Sequence, residues 1–211
     1  MNIHDVLIEQ DNRGQETVAQ PEAEDAKEAV RTLLRWAGDD PDREGLCETP
    51  ERVIRGYMEW FSGYGEDPVE ILEQVIEDVG GYQGPVILKD IGFQSYCEHD
   101  LAPIVGMVHV GYLPDFHVVG ISKIARVVDV YARRLQIQER MTSEIATALM
   151  RGLLPKGVIV VVEAEHFCMS TRGVHKPGVK TVTKSLHGVY VSDQELRQEF
   201  MLAIGRPSFG E

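Results

Sequence analysis

Two short segments, Ser95-Tyr96-Cys97-Glu98-His99-Asp100 and Glu165-His166-Phe167-Cys168, each set a cysteine close to a histidine, and together they use two of the three cysteines and two of the seven histidines. Thiolate and imidazole are the donors that hold a borderline-soft ion such as zinc. Two distant segments of this kind could close on one ion and leave a position open for water, the ligand economy of a catalytic metal site. Asp100, three residues after Cys97, offers a carboxylate as a third donor. A single free cysteine is more often a small buried hydrophobe, and it is the second Cys/His segment that shifts the balance toward metal. Cys47 has no His, Asp or Cys partner at ligand spacing and reads as structural.

His99 and His166 suit either ligation or general acid–base work, because imidazole titrates near neutrality. His4, His117, His175 and His187 read as hydrogen-bonded structural residues, and His109 as a satisfied core or interface histidine on a strand. Basic residues are few, so their grouping matters. Ser122 and Lys123 open a helix, with Arg126 three residues on; a helix start flanked by Lys and Arg is a natural phosphate site. Arg172 follows Cys168 closely enough to reach the same anion. Gln138 and Glu139 could read a base edge, or simply start a helix.

The elements that must position these residues follow from periodicity and punctuation. Residues 1–20 are polar and read as a mobile acidic tail. Helices are expected from Pro21 to Gly38, from Thr49 (as cap) to about Phe61, and from Asp67 to about Glu77, giving an N-terminal helical segment over 21–80. From 81 to 211 the pattern changes. Strands are expected over Pro85–Phe93 and Ile104–Leu113, with the Cys97 segment on a loop between them. A helix capped by Ser122 and a second one carrying Met141, Ile145, Ala148 and Leu149 come next. Strands over Gly157–Ala164 and Thr181–Val191 follow, and Ser192-Asp193-Gln194-Glu195 reads as a capping box for a last helix to about Ile204. This is an α+β pattern: a ββααββ unit, a four-stranded antiparallel sheet with its helices on one face. Its open edges point to a homo-oligomer.

With 211 residues, 43% hydrophobic, the chain can bury a sizeable core, and a formal net charge of −13 disfavours a broad nucleic-acid or anionic-membrane surface. Three cysteines make no disulfide framework, and no leader or membrane-spanning run is evident, so a cytoplasmic protein is expected.

Read together, Cys97-Glu98-His99, Gly111-Tyr112-Leu113-Pro114, Gly120-Ile121-Ser122-Lys123-Ile124-Ala125-Arg126, Gln136-Ile137-Gln138-Glu139-Arg140, His166-Phe167-Cys168-Met169 and Arg172-Gly173-Val174 resemble the GTP cyclohydrolase I family. The resemblance implies the tunnelling fold and a homodecamer of two pentameric rings with active sites at subunit interfaces. It implies conversion of GTP and water to 7,8-dihydroneopterin triphosphate and formate by a metal-activated water, ring opening, an Amadori rearrangement and pterin closure. By position, Cys97 and Cys168 match zinc ligands. His166 matches the histidine that protonates the guanine imidazole ring, and His99 a second catalytic histidine. Gln138 and Glu139 match the guanine-recognition pair. Ser122, Lys123, Arg126 and Arg172 match the triphosphate grip, with Arg52 supplied by a neighbouring subunit.

One position departs from the family pattern Cys-Glu-His-His: Asp100 stands where the second histidine, the third zinc ligand, belongs. A carboxylate can ligate zinc. It adds negative charge to an ion already neutralised by two thiolates, which raises the pKa of bound water and favours a harder ion such as manganese or iron(II). Alternatively, His99 takes over as ligand. The functional alternatives are a non-catalytic nucleotide-binding paralogue and an enzyme stalled after ring opening.

Overall fold

The computed structural model describes residues 19–73, 75–76 and 82–205. The expected acidic tail, His4 included, lies outside these residues except for its last two. The chain falls into two compact units that divide between Trp60 and Phe61.

In the first unit, α1 (Ala23–Trp36) packs against α2 (Thr49–Trp60). Lys27 Nζ lies 2.5 Å from Glu51 Oε2 and ties the two helices together. Glu24 and Asp25 in the first turn of α1 and Arg35 in its last complement the helix dipole. Arg52, exposed on α2, pairs with Glu48 one turn earlier.

The second unit starts with a 3₁₀ turn, Ser62–Gly65, and α3 (Pro68–Leu72). Backbone pairing explains why these residues join it. Gly63 N–H donates to Arg133 O at 3.2 Å, Arg134 Nε donates to Gly63 O at 3.0 Å, and a Cβ on Gly63 would meet Val130 O at 2.1 Å. Asp67 caps α3 by accepting from Val69 N–H, and Pro68 sits at its first position. The helix stops at Leu72, not near Glu77, because the chain turns extended. Strand β1 (Val75–Ile76) pairs antiparallel with β4 (Val118–Val119).

The main sheet has five strands in the order β5-β2-β3-β6-β7. These are β2 (Val86–Cys97), β3 (Pro103–Leu113), β5 (Leu135–Gln136), β6 (Gly157–His166) and β7 (Lys180–Gly188). All pairings are antiparallel except that of β5 with β2. Between β3 and β6 come α4 (Ile121–Ala132) and α5 (Gln138–Leu153), so the unit is α+β with ββααββ order.

Several boundaries differ from expectation. β2 runs on to Cys97, so the thiol ends a strand instead of riding on a loop. The short parallel β5 adds a fifth strand. Gly120 occupies the cap position of α4, and Ser122 lies inside the first turn without capping it. β7 ends at Gly188, whose φ of +59 and closeness to Lys156 O, 2.1 Å from where a Cβ would stand, demand glycine. The chain then makes a helical turn, α6 being Phe167–Ser170 after β6 and α7 being Val189–Ser192 here. Asp193, not Ser192, caps the last helix, α8 (Gln194–Ile204), by accepting from Leu196 N–H at 2.9 Å.

Alternation along the strands builds the core. Ile104, Val108, Val110 and Tyr112 of β3 and Val158, Val160, Val162 and Ala164 of β6 point to one face, against Ile124, Val127 and Val128 of α4 and Met141, Ile145 and Leu149 of α5. The other face is partly covered too. Ile159 and Val161 pack there with Tyr190 and Phe200. β6 is thus apolar on both faces because both are buried.

Candidate active site

The antiparallel register gathers the chemistry at one end of the sheet. Tyr96 pairs with Pro103, Ile104 with His166, and Glu165 with Lys180, while the parallel strand puts Gln136 beside Cys97. The end of β2, the end of β6 and the start of α5 therefore meet.

A tight turn brings Asp100 back to Cys97. Leu101 N–H donates to Cys97 O and Cys97 N–H to Ala102 O, both at 2.8 Å. Leu101 takes a left-handed φ of +59 to make this closure, a strained setting of the kind that collects at functional sites. The donor atoms of Cys97, Asp100 and Cys168 all lie within 4.8 Å of one another. Tetrahedral donors about 2.3 Å from a zinc ion stand roughly 3.8 Å apart, so a small inward movement would complete the set. Two thiols and a carboxylate fit a divalent, borderline-soft ion. His99, exposed, sits with Nδ1 3.5 Å from Cys97 Sγ, close to the set but outside it.

Electrostatics bear on each donor. Burial raises the Asp100 carboxyl, but the Ala102 N–H and the Arg172 guanidinium outweigh it and hold its pKa below the ordinary value. Burial, reinforced by Cys97 and Asp100, pushes the Cys168 thiol up. A divalent cation would reverse that push, since it favours thiolate.

His166 ends β6, and its ring is held by Gln138, a residue only 1% exposed. His166 Nε2 lies 2.7 Å from Gln138 Oε1. The amide orientation is fixed from the other side: Gln138 Nε2 donates to Val162 O at 3.1 Å, Thr181 O at 3.0 Å and Thr183 Oγ1 at 3.1 Å. Thr142 Oγ1 donates to Gln138 O at 2.6 Å and stands 2.6 Å from Thr183 Oγ1, so the Thr183 hydroxyl donates to Thr142. Oε1 must then face the ring, and His166 Nε2 must donate to it. The remaining nitrogen, Nδ1, is the one that can hold or release a proton. Burial lowers the His166 pKa, with the nearby Glu139 carboxylate partly opposing it.

Gln138 thus spends its side chain on positioning, which sequence reasoning missed. Its only signal was a polar residue at the start of a helix otherwise apolar toward the sheet. Glu139 is exposed in the first turn of α5.

The basic residues divide. Arg172 Nη1 donates to Asp100 Oδ2 at 2.6 Å. Lys123 and Arg126 line a separate cavity of about 370 Å³ with Gly65, Glu66, Asp67, Glu70 and Ile71, and Lys123 Nζ donates to Ile71 O at 3.1 Å. None of the three donor residues lines that cavity. Ser122 is exposed beside it in sequence. Cys47, in the first unit, is exposed and donates to Glu44 O.

The sequence model of the family described as GTP cyclohydrolase I matches residues 26–205. A Maricaulis maris protein named GTP cyclohydrolase 1 is 53% identical over 186 residues, 88% of this chain and 91% of its own length. The like-named protein of Bartonella bacilliformis is 56% identical over 178 residues, 84% and 86% of the two chains. That of Hyphomonas neptunium is 52% identical over 191 residues, 90% and 93%.

Proposed function

The chain belongs to the GTP cyclohydrolase I family, and from that premise we propose that it hydrolyses GTP to 7,8-dihydroneopterin triphosphate and formate. The observation that carries this reading is the meeting of Cys97, Asp100 and Cys168 with a histidine whose tautomer is fixed by Gln138.

Cys97, Asp100 and Cys168 would hold the metal, for which zinc suits the two thiols and a harder divalent ion the carboxylate. Bound there, the ion supplies Lewis acidity and lowers the pKa of a water. His166 presents Nδ1 to the guanine imidazole ring, where a proton delivered to nitrogen makes C8 electrophilic and later assists ring opening. Gln138 holds the ring so that this nitrogen, and not Nε2, faces the substrate. His99, beside Cys97, assists the later proton transfers. Glu139 accepts from the guanine N–H groups. Ser122, Lys123, Arg126 and Arg172 bind the triphosphate, with Arg52 contributed by a neighbouring copy.

The reading places the complete site in a homodecamer. Its support is that the Lys123–Arg126 cavity and the donor set have no lining residue in common, and that β7 borders the sheet with β6 alone beside it among the described residues. A cytoplasmic location is proposed on the free thiols; no helix of the described residues is long and apolar enough to cross a membrane. The non-catalytic and stalled alternatives raised by Asp100 are disfavoured, because its carboxylate joins the two thiols instead of leaving a gap.

Product identity tests the reading. Incubation with GTP should give formate and a species with the mass and fluorescence of the reduced pterin triphosphate. GTP recovered intact, or formate without pterin, contradicts it.

A further inference from the structure

Asp100 and Arg172 are each wanted by a different ligand, yet they hold one another. Arg172 Nη1 donates to Asp100 Oδ2 at 2.6 Å, and Asp100 Oδ1 accepts from Ala102 N–H at 3.2 Å. The pair is lopsided in exposure: the Asp100 side chain is 19% exposed and that of Arg172 66%. The carboxylate is therefore fixed in its turn, while the guanidinium sits on the solvent side and is able to leave. Asp100 belongs to the donor set with Cys97 and Cys168.

We propose that the Asp100–Arg172 ion pair is a latch shared by the metal and the triphosphate, so that binding of either one favours binding of the other. This rests on the assignment of Arg172 to the triphosphate made above. A divalent cation on Asp100 withdraws the carboxylate's charge and repels the guanidinium, which weakens the pair. A phosphate chain takes Arg172 by charge-assisted hydrogen bonds, which also requires the pair to open. Each ligand removes a cost that the other would otherwise meet, and linkage makes the coupling equal in both directions. A histidine at position 100 would make no such ion pair. The latch is thus a consequence of the carboxylate.

The test uses full-length, metal-free protein and inorganic tripolyphosphate as the probe, with affinity read by calorimetry. Asp100→Asn keeps the acceptor for Ala102 N–H and removes the charge. It should tighten tripolyphosphate binding about fivefold, the scale of a partly exposed ion pair. In an Arg172→Gln background the same change should do nothing. Equal tightening in both backgrounds would mean only a repulsive charge was removed, and it would overturn the latch, as would no tightening in either. Zinc affinity by chelator competition gives an independent readout: Arg172→Gln should bind zinc more tightly, whereas weaker binding would make Arg172 a mere support for Asp100 and overturn the proposal. If wild type turns over GTP while the cycle shows no coupling, only the latch fails. If no form binds tripolyphosphate, the phosphate role of Arg172 fails with it.

Discussion

His166 Nε2 and Gln138 Oε1 stand 2.7 Å apart, and three acceptors on the far side of the amide leave Gln138 no other orientation. A buried glutamine thereby engages Nε2 and leaves Nδ1 as the free ring nitrogen, the one that faces the substrate in the proposed reaction. Gln138→Ala should lower kcat by about 10- to 100-fold, a fraction of what a positioned acid–base group supplies. Bound metal should remain at wild-type content by elemental analysis. Stability should fall by about 2 kcal/mol, because Val162 O and Thr181 O lose a buried donor. Unchanged kcat in a folded, metal-replete variant would remove Gln138 from the account.

Asp100→Ala should lose bound zinc by more than the roughly 10- to 100-fold that loss of an outer partner costs, since a direct donor is removed. Asp100→His should keep it, as imidazole restores a ligand. Zinc content after dialysis against a weak chelator reads both. Full retention in Asp100→Ala would show that Cys97, Cys168 and another group suffice.

Gly106 lies where β3 passes β6 closely: a Cβ there would stand 2.2 Å from Glu163 O and 2.6 Å from Ala164 Cβ. Gly106→Ala should cost about 1–3 kcal/mol in urea unfolding, the range for overpacking a filled site. It should also loosen His166, two residues beyond Ala164 at the end of the neighbouring β6.

Burial depresses the pKa of both His109 and His187 below their ordinary value of 6.5. For His109 the carboxylates of Asp90 and Glu163 push up and Lys89 pushes down, but burial dominates. Depressed folded-state values mean that the native state favours the neutral rings. Their stabilisation is present above about pH 6.5 and is lost as pH falls through the folded values. The urea midpoint should therefore drop as pH is lowered below about 6.5, and His187→Gln should flatten part of that slope. A slope unaltered by the substitution would exclude His187 as its source.

Much of this was legible in the residues. The apolar run of β6, the helical spacing of α4 and the Cys/His segments pointed to the ββααββ sheet and to the donors now found together. Most of what escaped depended on contacts made far along the chain. Two cap positions escaped for a local reason: Ser122 and Ser192 are good cap residues, but the backbone sets Gly120, with no side-chain cap, and Asp193, which ranks with serine, in those places. Cys97 looked like a loop residue, since pairing with Gln136 of a two-residue strand leaves no period to read. The hold of Gln138 on His166 needed β6 and β7 to supply its acceptors. The Asp100–Arg172 pair joins residues 72 positions apart.

The most direct test of the whole account is GTP turnover by metal-stripped protein before and after reloading with zinc, manganese or iron(II), following formate and pterin fluorescence together. The account predicts neither signal without metal and both signals, in equal amounts, with a divalent ion that Cys97, Asp100 and Cys168 retain. Equal turnover by stripped protein, or silence with every ion in wild type while Asp100→His restores both signals, would contradict it.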